Sequence, residues 1–308
     1  LMSKSPHISV LLDPSIDALN IKPNGIYVDG TFGAGGHSEL ILKHLKSGHL
    51  YAFDQDLNVN PSKDLRFKDH GSFTFIQRNF ASMSQSLKHF GVAQVDGILL
   101  DLGISSMHID QAERGFSYMH DGPLDMRMDQ SQSLTAEEIL NTYEHQHLLK
   151  IFRDYGDIER PHVFANVIMK HRPYQTTHDL VKVTDVFFKS KKGHSAKAVF
   201  QALRIEVNQE LKVLEDVLQQ SLSLLKPEGR LVVITFHSLE DRIVKHFMKD
   251  HSIIKQLKGL PVLSKDIPPF KLISKKPIIP SLEEISMNPR SASAKLRVSE
   301  KQSIHSII

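Results

Sequence analysis

Apolar residues recur along this chain in two rhythms. Short runs rich in β-branched and aromatic side chains at 26–29, 49–53, 73–77 and 95–100 predict buried strands, with helical spacing of apolar residues between them. Such alternation is the signature of a parallel α/β sheet. The rhythm then stops. The next strong strand pattern is Arg230-Leu-Val-Val-Ile-Thr-Phe236, after Lys226-Pro-Glu-Gly229, which reads as a helix-to-strand turn. The stretch between Asp101 and Arg230 far exceeds an ordinary crossover, and its pattern is helical. Thr135-Ala-Glu-Glu138 reads as a capping box opening 136–141. Further helices fit 144–155, 160–170 and 178–188, and one long helix fits about 198–225. Gly156, Pro161, Pro173 and Gly193 mark the joints. Lys295-Leu-Arg-Val298 reads as a last short strand. The pattern predicts a sheet domain over 1–113 and 216–308, interrupted by an all-helical domain over 114–215.

The first strand ends in Asp29-Gly-Thr-Phe-Gly-Ala-Gly-Gly-His37, with glycines at 30, 33, 35 and 36. A strand, a glycine turn and a helix open a nucleotide-binding unit, because missing side chains let backbone approach a ligand. The second strand ends in Asp54, about 20 residues past the glycines, where a carboxylate can accept both ribose hydroxyls. The spacing G-x-x-G-x-G-G departs from the dinucleotide G-x-G-x-x-G. Asp29 beside the turn would repel a pyrophosphate but suits a cationic ligand such as S-adenosylmethionine. Glycine spacing alone leaves NAD as a rival.

Composition sharpens the choice. The chain has no cysteine, which excludes disulfides, thiolate-ligated metal, iron–sulfur clusters and a cysteine nucleophile. Methyl transfer to C5 of a pyrimidine through a thiolate adduct, and cluster-based radical transfer, are both closed. Direct displacement by nitrogen or oxygen remains. Eighteen histidines include no His-Glu-x-x-His pairing, so no metal is expected. No apolar run approaches the roughly 20 residues that span a membrane, and the first ten residues lack the apolar core of a secretion signal. A cytoplasmic protein is expected. The net charge of +3 is compatible with nucleic acid without being diagnostic. From Ile254 to Lys276, six lysines face one aspartate in a proline-broken segment.

The fourth strand runs Val95-Asp-Gly-Ile-Leu-Leu-Asp101-Leu-Gly-Ile-Ser-Ser106, placing a carboxylate at a strand's carboxyl end, where ligands of such sheets bind. With it come Glu113-Arg-Gly-Phe-Ser-Tyr-Met-His-Asp-Gly-Pro-Leu-Asp-Met-Arg-Met-Asp129, Phe200-Gln-Ala-Leu-Arg-Ile-Glu-Val-Asn208, Thr235-Phe-His-Ser-Leu-Glu-Asp-Arg242, Asn288-Pro-Arg290 and Ala294-Lys-Leu-Arg297. Over nearly its whole length the chain resembles the bacterial 16S ribosomal RNA cytosine-N4 methyltransferases, the RsmH or MraW family. The resemblance implies a class I methyltransferase: a Rossmann-like, doubly wound sheet with an inserted helical domain. It implies S-adenosylmethionine as cofactor and, as acceptor, the N4 amine of one cytidine in the decoding centre of the small subunit. Carried over, the donor site comprises Gly35, Gly36, His37, Asp54, Phe80, Asp101 and His108. Asp101 is also the candidate catalytic acceptor of the amine's hydrogen bonds.

No aromatic ring follows Asp101, so Phe116, Tyr118 and His237 are candidates to stack on the base. Ser238 with Asp241 also makes an ordinary N-cap box. Lys189, Lys191, Lys192 and Lys197 in the insertion, and Lys255, Lys258, Lys271, Lys275 and Lys276 in the tail, are candidate RNA phosphate contacts. Three segments depart from the family pattern: Gln55-Asp-Leu-Asn-Val-Asn-Pro61, which is short and proline-broken, Lys197-Ala-Val199, and Ala292. The rival readings are an amine methyltransferase acting on DNA or protein, a non-catalytic ribosome-assembly factor that binds the cofactor, and an NAD oxidoreductase. The oligomeric state, a homodimer included, stays open.

Overall fold

The apolar runs pair side by side in a seven-stranded sheet. The computed structural model describes residues 9–188, 194–253 and 267–303. The strands are β1 (Ile26–Asp29), β2 (His49–Phe53), β3 (Phe73–Ile76), β4 (Val95–Asp101), β5 (Leu225–Thr235), β6 (Phe270–Leu272) and β7 (Lys295–Lys301), in spatial order β3-β2-β1-β4-β5-β7-β6. The first five are parallel, while β7 runs antiparallel between β5 and β6. The expected doubly wound, Rossmann-like sheet is therefore present, and its order reverses between β1 and β4. Val28, Phe53, Ile98, Leu100, Leu231 and Val233 carry 0% exposure in the core of this sheet.

The chain divides into two compact units, residues 1–103 with 213–308, and residues 104–212. These boundaries fall earlier than 113/114 and 215/216. The first unit holds the sheet with α1 (Leu12–Leu19), α2 (Gly36–His44) and α3 (Met83–His89). The second is helical: α4 (Ser106–Asp110), α5 (Ala136–Thr142), α6 (His145–Asp154), α7 (Pro161–Lys170), α8 (Thr177–Phe187) and α9 (Lys197–Asn208). Its own core gathers Ile139, Leu148, Phe152, Phe164 and Leu203, with Phe152 and Phe164 ring centres 4.8 Å apart. Thr135 caps α5, its side chain accepting from Glu138 N at 3.1 Å, though the reciprocal half of the expected capping box does not form. After α10 (Glu210–Leu224) come α11 (Ser238–Asp250) and α12 (Leu282–Met287). No helix among the described residues is long and apolar enough to cross a membrane.

Three elements differ from expectation. The single helix over 198–225 is two helices, broken at Gln209, which takes a left-handed conformation (φ 51°). Asn208 explains the break. Buried at the end of α9, it accepts from Met128 N and donates to Met126 O, both at 2.8 Å, so its side chain serves a distant loop. Periodicity cannot register that demand. Lys226–Gly229 does not precede β5 but bulges out within it, since Val95 pairs with Leu225 while Gly97 already pairs with Arg230. Glu228 accepts positive φ there (65°), and Lys226 is held by Asp96 at 2.8 Å. Finally, the short strand at 295–298 extends to Lys301 and is paired on both sides, by β5 and by the unpredicted β6.

Candidate functional site

At the carboxyl ends of β1 and β4 the turns are tied together by short polar side chains. Asp29 is fully buried and accepts from Ser38 Oγ (2.7 Å) and from Thr31 N (3.0 Å). Burial raises its pKa above the carboxylate norm. These bonds staple the turn to α2, a structural role that the sequence reading did not give Asp29. Thr31 Oγ1 in turn accepts from Asp101 N at 2.7 Å. Glycine is required at position 35, where φ is +79° and a Cβ would lie 2.7 Å from the Phe67 ring; at Gly36 it would lie 2.1 Å from Ser9 Oγ. At Gly35 backbone conformation and the Phe67 and Phe32 rings exclude a side chain, whereas at Gly36 only the Ser9 side chain stands in the way.

Asp54 closes the turn from the next strand. Its Oδ2 accepts from Gly33 N at 2.8 Å and its Oδ1 from Asp56 N at 2.9 Å. Phe80 opens a single 3-10 turn capped by Asn79, whose amide donates to Gln55 Oε1 at 2.7 Å, tying the loops after β2 and β3 together. Phe80 is half-buried against the core of the sheet.

Asp101 ends β4 with a side chain 23% exposed, and its Oδ1 has no hydrogen-bond partner among the described residues. Its Oδ2 lies 3.7 Å from His37 Nδ1. Burial, then the charges of Asp29 and Glu240, push its pKa well above the carboxylate norm. His37 is buried, with Nε2 3.1 Å from Val10 O. A carbonyl only accepts, so Nε2 carries the proton and Nδ1 offers a lone pair toward Asp101. Burial lowers the His37 pKa to about 4, so the ring is neutral at physiological pH. Asp101 and His37 thus come together with Gly35, Gly36, Asp54 and Phe80 at the turns of one sheet edge.

His108 belongs to the second unit. It is buried in α4, accepts from Ser105 N at 3.3 Å and stacks on Phe116 at 4.8 Å. Phe116 is only 6% exposed within the helical core, which removes it as a base-stacking surface. Tyr118 is half-buried and stacks on His194 at 4.4 Å. His237, not Ser238, caps α11: its side chain accepts from Glu240 N, while Glu240 Oε2 accepts from Phe236 N at 2.9 Å. Asp241 is engaged instead by Arg297, at 2.7 and 3.1 Å. Beside His237 opens a cleft of about 320 Å³ lined by Phe236, Ser238, Ile279, Pro280 and Lys295.

Sequence reasoning missed Thr31 and the Asp241–Arg297 pair. The complementary charges in Thr235–Arg242 and Ala294–Arg297 were the available signal for the pair. Of the lysines, Lys197 is exposed at the start of α9, Lys271 pairs with Glu300 at 2.7 Å, and Lys275 and Lys276 are exposed. Lys189, Lys191, Lys192, Lys255 and Lys258 lie outside the described residues.

A family model for the MraW methylase family matches residues 4–302. The chain belongs to that family. This MraW-family chain is 55% identical to ribosomal RNA small subunit methyltransferase H 1 of Acholeplasma laidlawii (strain PG-8A), over 96% of the chain and 99% of the relative. It is 50% identical to ribosomal RNA small subunit methyltransferase H of onion yellows phytoplasma (strain OY-M), over 96% and 97%. A crystal structure of a putative rRNA-methylase from Clostridium thermocellum is similar at 14% identity and a TM-score of 0.44, covering 96% of this chain and 98% of that one. As a family member the chain is a methyltransferase, with the sheet of the class I enzymes that use S-adenosylmethionine. The MraW-family edge suits that cofactor. Asp101 holds an acceptor oxygen without a partner, and the glycine turn and Asp54 carboxylate sit on adjoining strands.

Proposed function

We propose that this methylase transfers a methyl group from S-adenosylmethionine to the N4 amine of a specific cytidine in the decoding centre of 16S ribosomal RNA, within the small subunit. The observation that carries the proposal is the Asp101 oxygen without a partner at the end of β4, set beside a neutral His37. The cofactor, when bound, supplies an electrophilic methyl carbon. Asp54 would hold its ribose, since a carboxylate accepts about four hydrogen bonds. Phe80 would cover its adenine, and the turn at Gly35 and Gly36 would carry the methionine end.

Cytosine's exocyclic nitrogen is a poor nucleophile because its lone pair is delocalised into the ring. Accepting a hydrogen bond from that amine localises the lone pair, so positioning and electrostatics supply the rate. Asp101 accepts this hydrogen bond. Asp101 would take the proton that the amine must lose as the cofactor gives up its methyl and leaves as the neutral thioether. The raised proton affinity of Asp101 suits that transfer. With no cysteine in the chain, a covalent adduct on the pyrimidine ring through a thiolate is closed. The cleft beside His237 receives the base, its volume lying at the small end of the roughly 300–1,000 Å³ typical of ligand pockets. Lys197, with Lys189, Lys191 and Lys192, supplies phosphate contacts.

Support for the substrate comes from the relatives named for the small-subunit RNA and from the cysteine-free composition. The test is transfer of labelled methyl to small subunits lacking the modification, with the product nucleoside mapped by mass spectrometry. N4-methylcytidine at one position is expected. A methyl on carbon, on another base, or only on DNA or protein would overturn the reading.

A further inference from the structure

We infer that the groove between the outer strand β3 and helix α3 is a second RNA contact, holding one unstacked nucleotide of the substrate away from the reacting base. The inference rests on the reading above that the substrate is RNA. β3 is the last strand on its side of the sheet. The groove, about 550 Å³, is lined by Phe75, Ile76 and Ser86 with Phe90, which is 46% exposed despite packing on Tyr51 at 5.6 Å. Arg78, Gln85, Lys88 and His89 complete the lining, and no carboxylate takes part.

Charge pairing separates these cations from others in the same unit. Arg66, Lys226, Arg230, Lys271 and Arg297 each meet a carboxylate at 3.0 Å or less. The exposed Arg78 and Lys88 side chains make no hydrogen bond or ion pair with any described residue. An exposed ring flanked by unneutralised cations is the arrangement that takes a nucleotide, the base stacking on the ring and the phosphate meeting the cations. A second copy of this chain, docked about a two-fold axis, would bring the same cations face to face. Arg78 also lies two residues before Phe80, so the groove adjoins in sequence the loop assigned to the methyl donor. An RNA strand lying there would run past the reaction edge.

The experiment measures methyl transfer to unmodified small subunits over a range of salt, for Arg78→Ala/Lys88→Ala, Phe90→Leu and Phe90→Tyr. All three alter exposed side chains outside the donor site. The double variant is expected to raise KM and to lower the log–log salt slope by about 1.4, two contacts at about 0.7 each. Phe90→Leu, which keeps the apolar contact but loses the ring, should raise KM about tenfold, and Phe90→Tyr should restore it. Calorimetric affinity for S-adenosylmethionine stays unchanged throughout. Anisotropy of a labelled oligocytidylate reads the groove without methyl transfer, so it stands even if the wild-type protein modifies another substrate. Wild-type KM and slope in the double variant, or oligonucleotide affinity unaffected by Phe90→Leu, would overturn the inference. A KM raised by Phe90→Leu with an intact salt slope in the double variant would assign the groove to a protein partner instead.

Discussion

Replacing Asp101 with asparagine should make the protein more stable and far slower. The carboxyl group is held well above its ordinary pKa by burial and by the neighbouring charges of Asp29 and Glu240, and its Oδ1 has no hydrogen-bond partner. A raised folded-state pKa stabilises fully below the unfolded value near 3.9, and that contribution is lost as pH rises through the folded value. As pH rises and the group ionises, it therefore becomes a burden on the fold. A buried acceptor left unsatisfied costs about 1–3 kcal/mol, and the 23% exposure lets water recover part of it, which favours the low end. Asparagine keeps the shape without the charge. A gain of about 1 kcal/mol corresponds to a Tm rise of roughly 2–4 °C for a domain of this size. Calorimetry at pH 7.5 should show that rise, and the rise should shrink on acidification, where wild-type Asp101 is itself protonated. Turnover should fall by about two orders of magnitude, the range of a lost acid–base group, with donor affinity nearly unchanged. A variant less stable at pH 7.5 would show that Asp101 is satisfied as a carboxylate. Equal losses in turnover and donor affinity would reassign it to cofactor binding.

Asp54→Ala should weaken S-adenosylmethionine binding at least tenfold by calorimetric titration, since hydrogen bonds to a charged group contribute about 1.5–3 kcal/mol each; unchanged affinity in a folded variant would sink the donor-site assignment. His37 titrates at about 4 when folded and near 6.5 when unfolded, so between those values only the unfolded chain binds the proton. Stability should fall by up to about 3 kcal/mol as pH drops through that window, and His37→Gln should flatten the dependence measured by urea unfolding; an identical slope would refute the burial argument. Arg297→Ala should cost less than the roughly 3–5 kcal/mol of a fully stranded buried charge, because Lys295 still meets Asp241 at 3.6 Å, and Asp241→Asn/Arg297→Met should recover much of it. A double variant as unstable as the single would mean that the pair itself is not the cause.

Strands β1, β2 and β4 were legible because their apolar residues are buried almost throughout, and the outer strand β3, half-buried over Phe73–Phe75, because its residues are aromatic or β-branched. Helices α5 to α8 were legible because one face alone is apolar. Elements whose conformation answers a distant partner were not. The break at Gln209 follows from what Asn208 does for Met126 and Met128, and β6 is three residues whose strand character comes from lying against β7. At the site, Asp54 and Asp101 could be read from their places after apolar runs. The role of Asp29 could not, because its burial and its bonds to Thr31 and Ser38 depend on how the turn folds back. Likewise, Phe116 looks like any loop aromatic until the helical core closes around it.

The position of β7 orders assembly in time. Residues 295–301 do not add to the rim of the sheet but slot between β5 and β6, giving β5 its second neighbour and β6 its only described one. Emerging from a ribosome, the helical unit of residues 104–212 has all of its own chain long before the sheet has received β7. Until then the apolar backbone edge at Val232–Ile234 stands open to any passing strand. Chains that stop short of Lys295 should thus carry the helical unit joined to an aggregation-prone sheet, so the loss of β7 carries a penalty out of proportion to its seven residues.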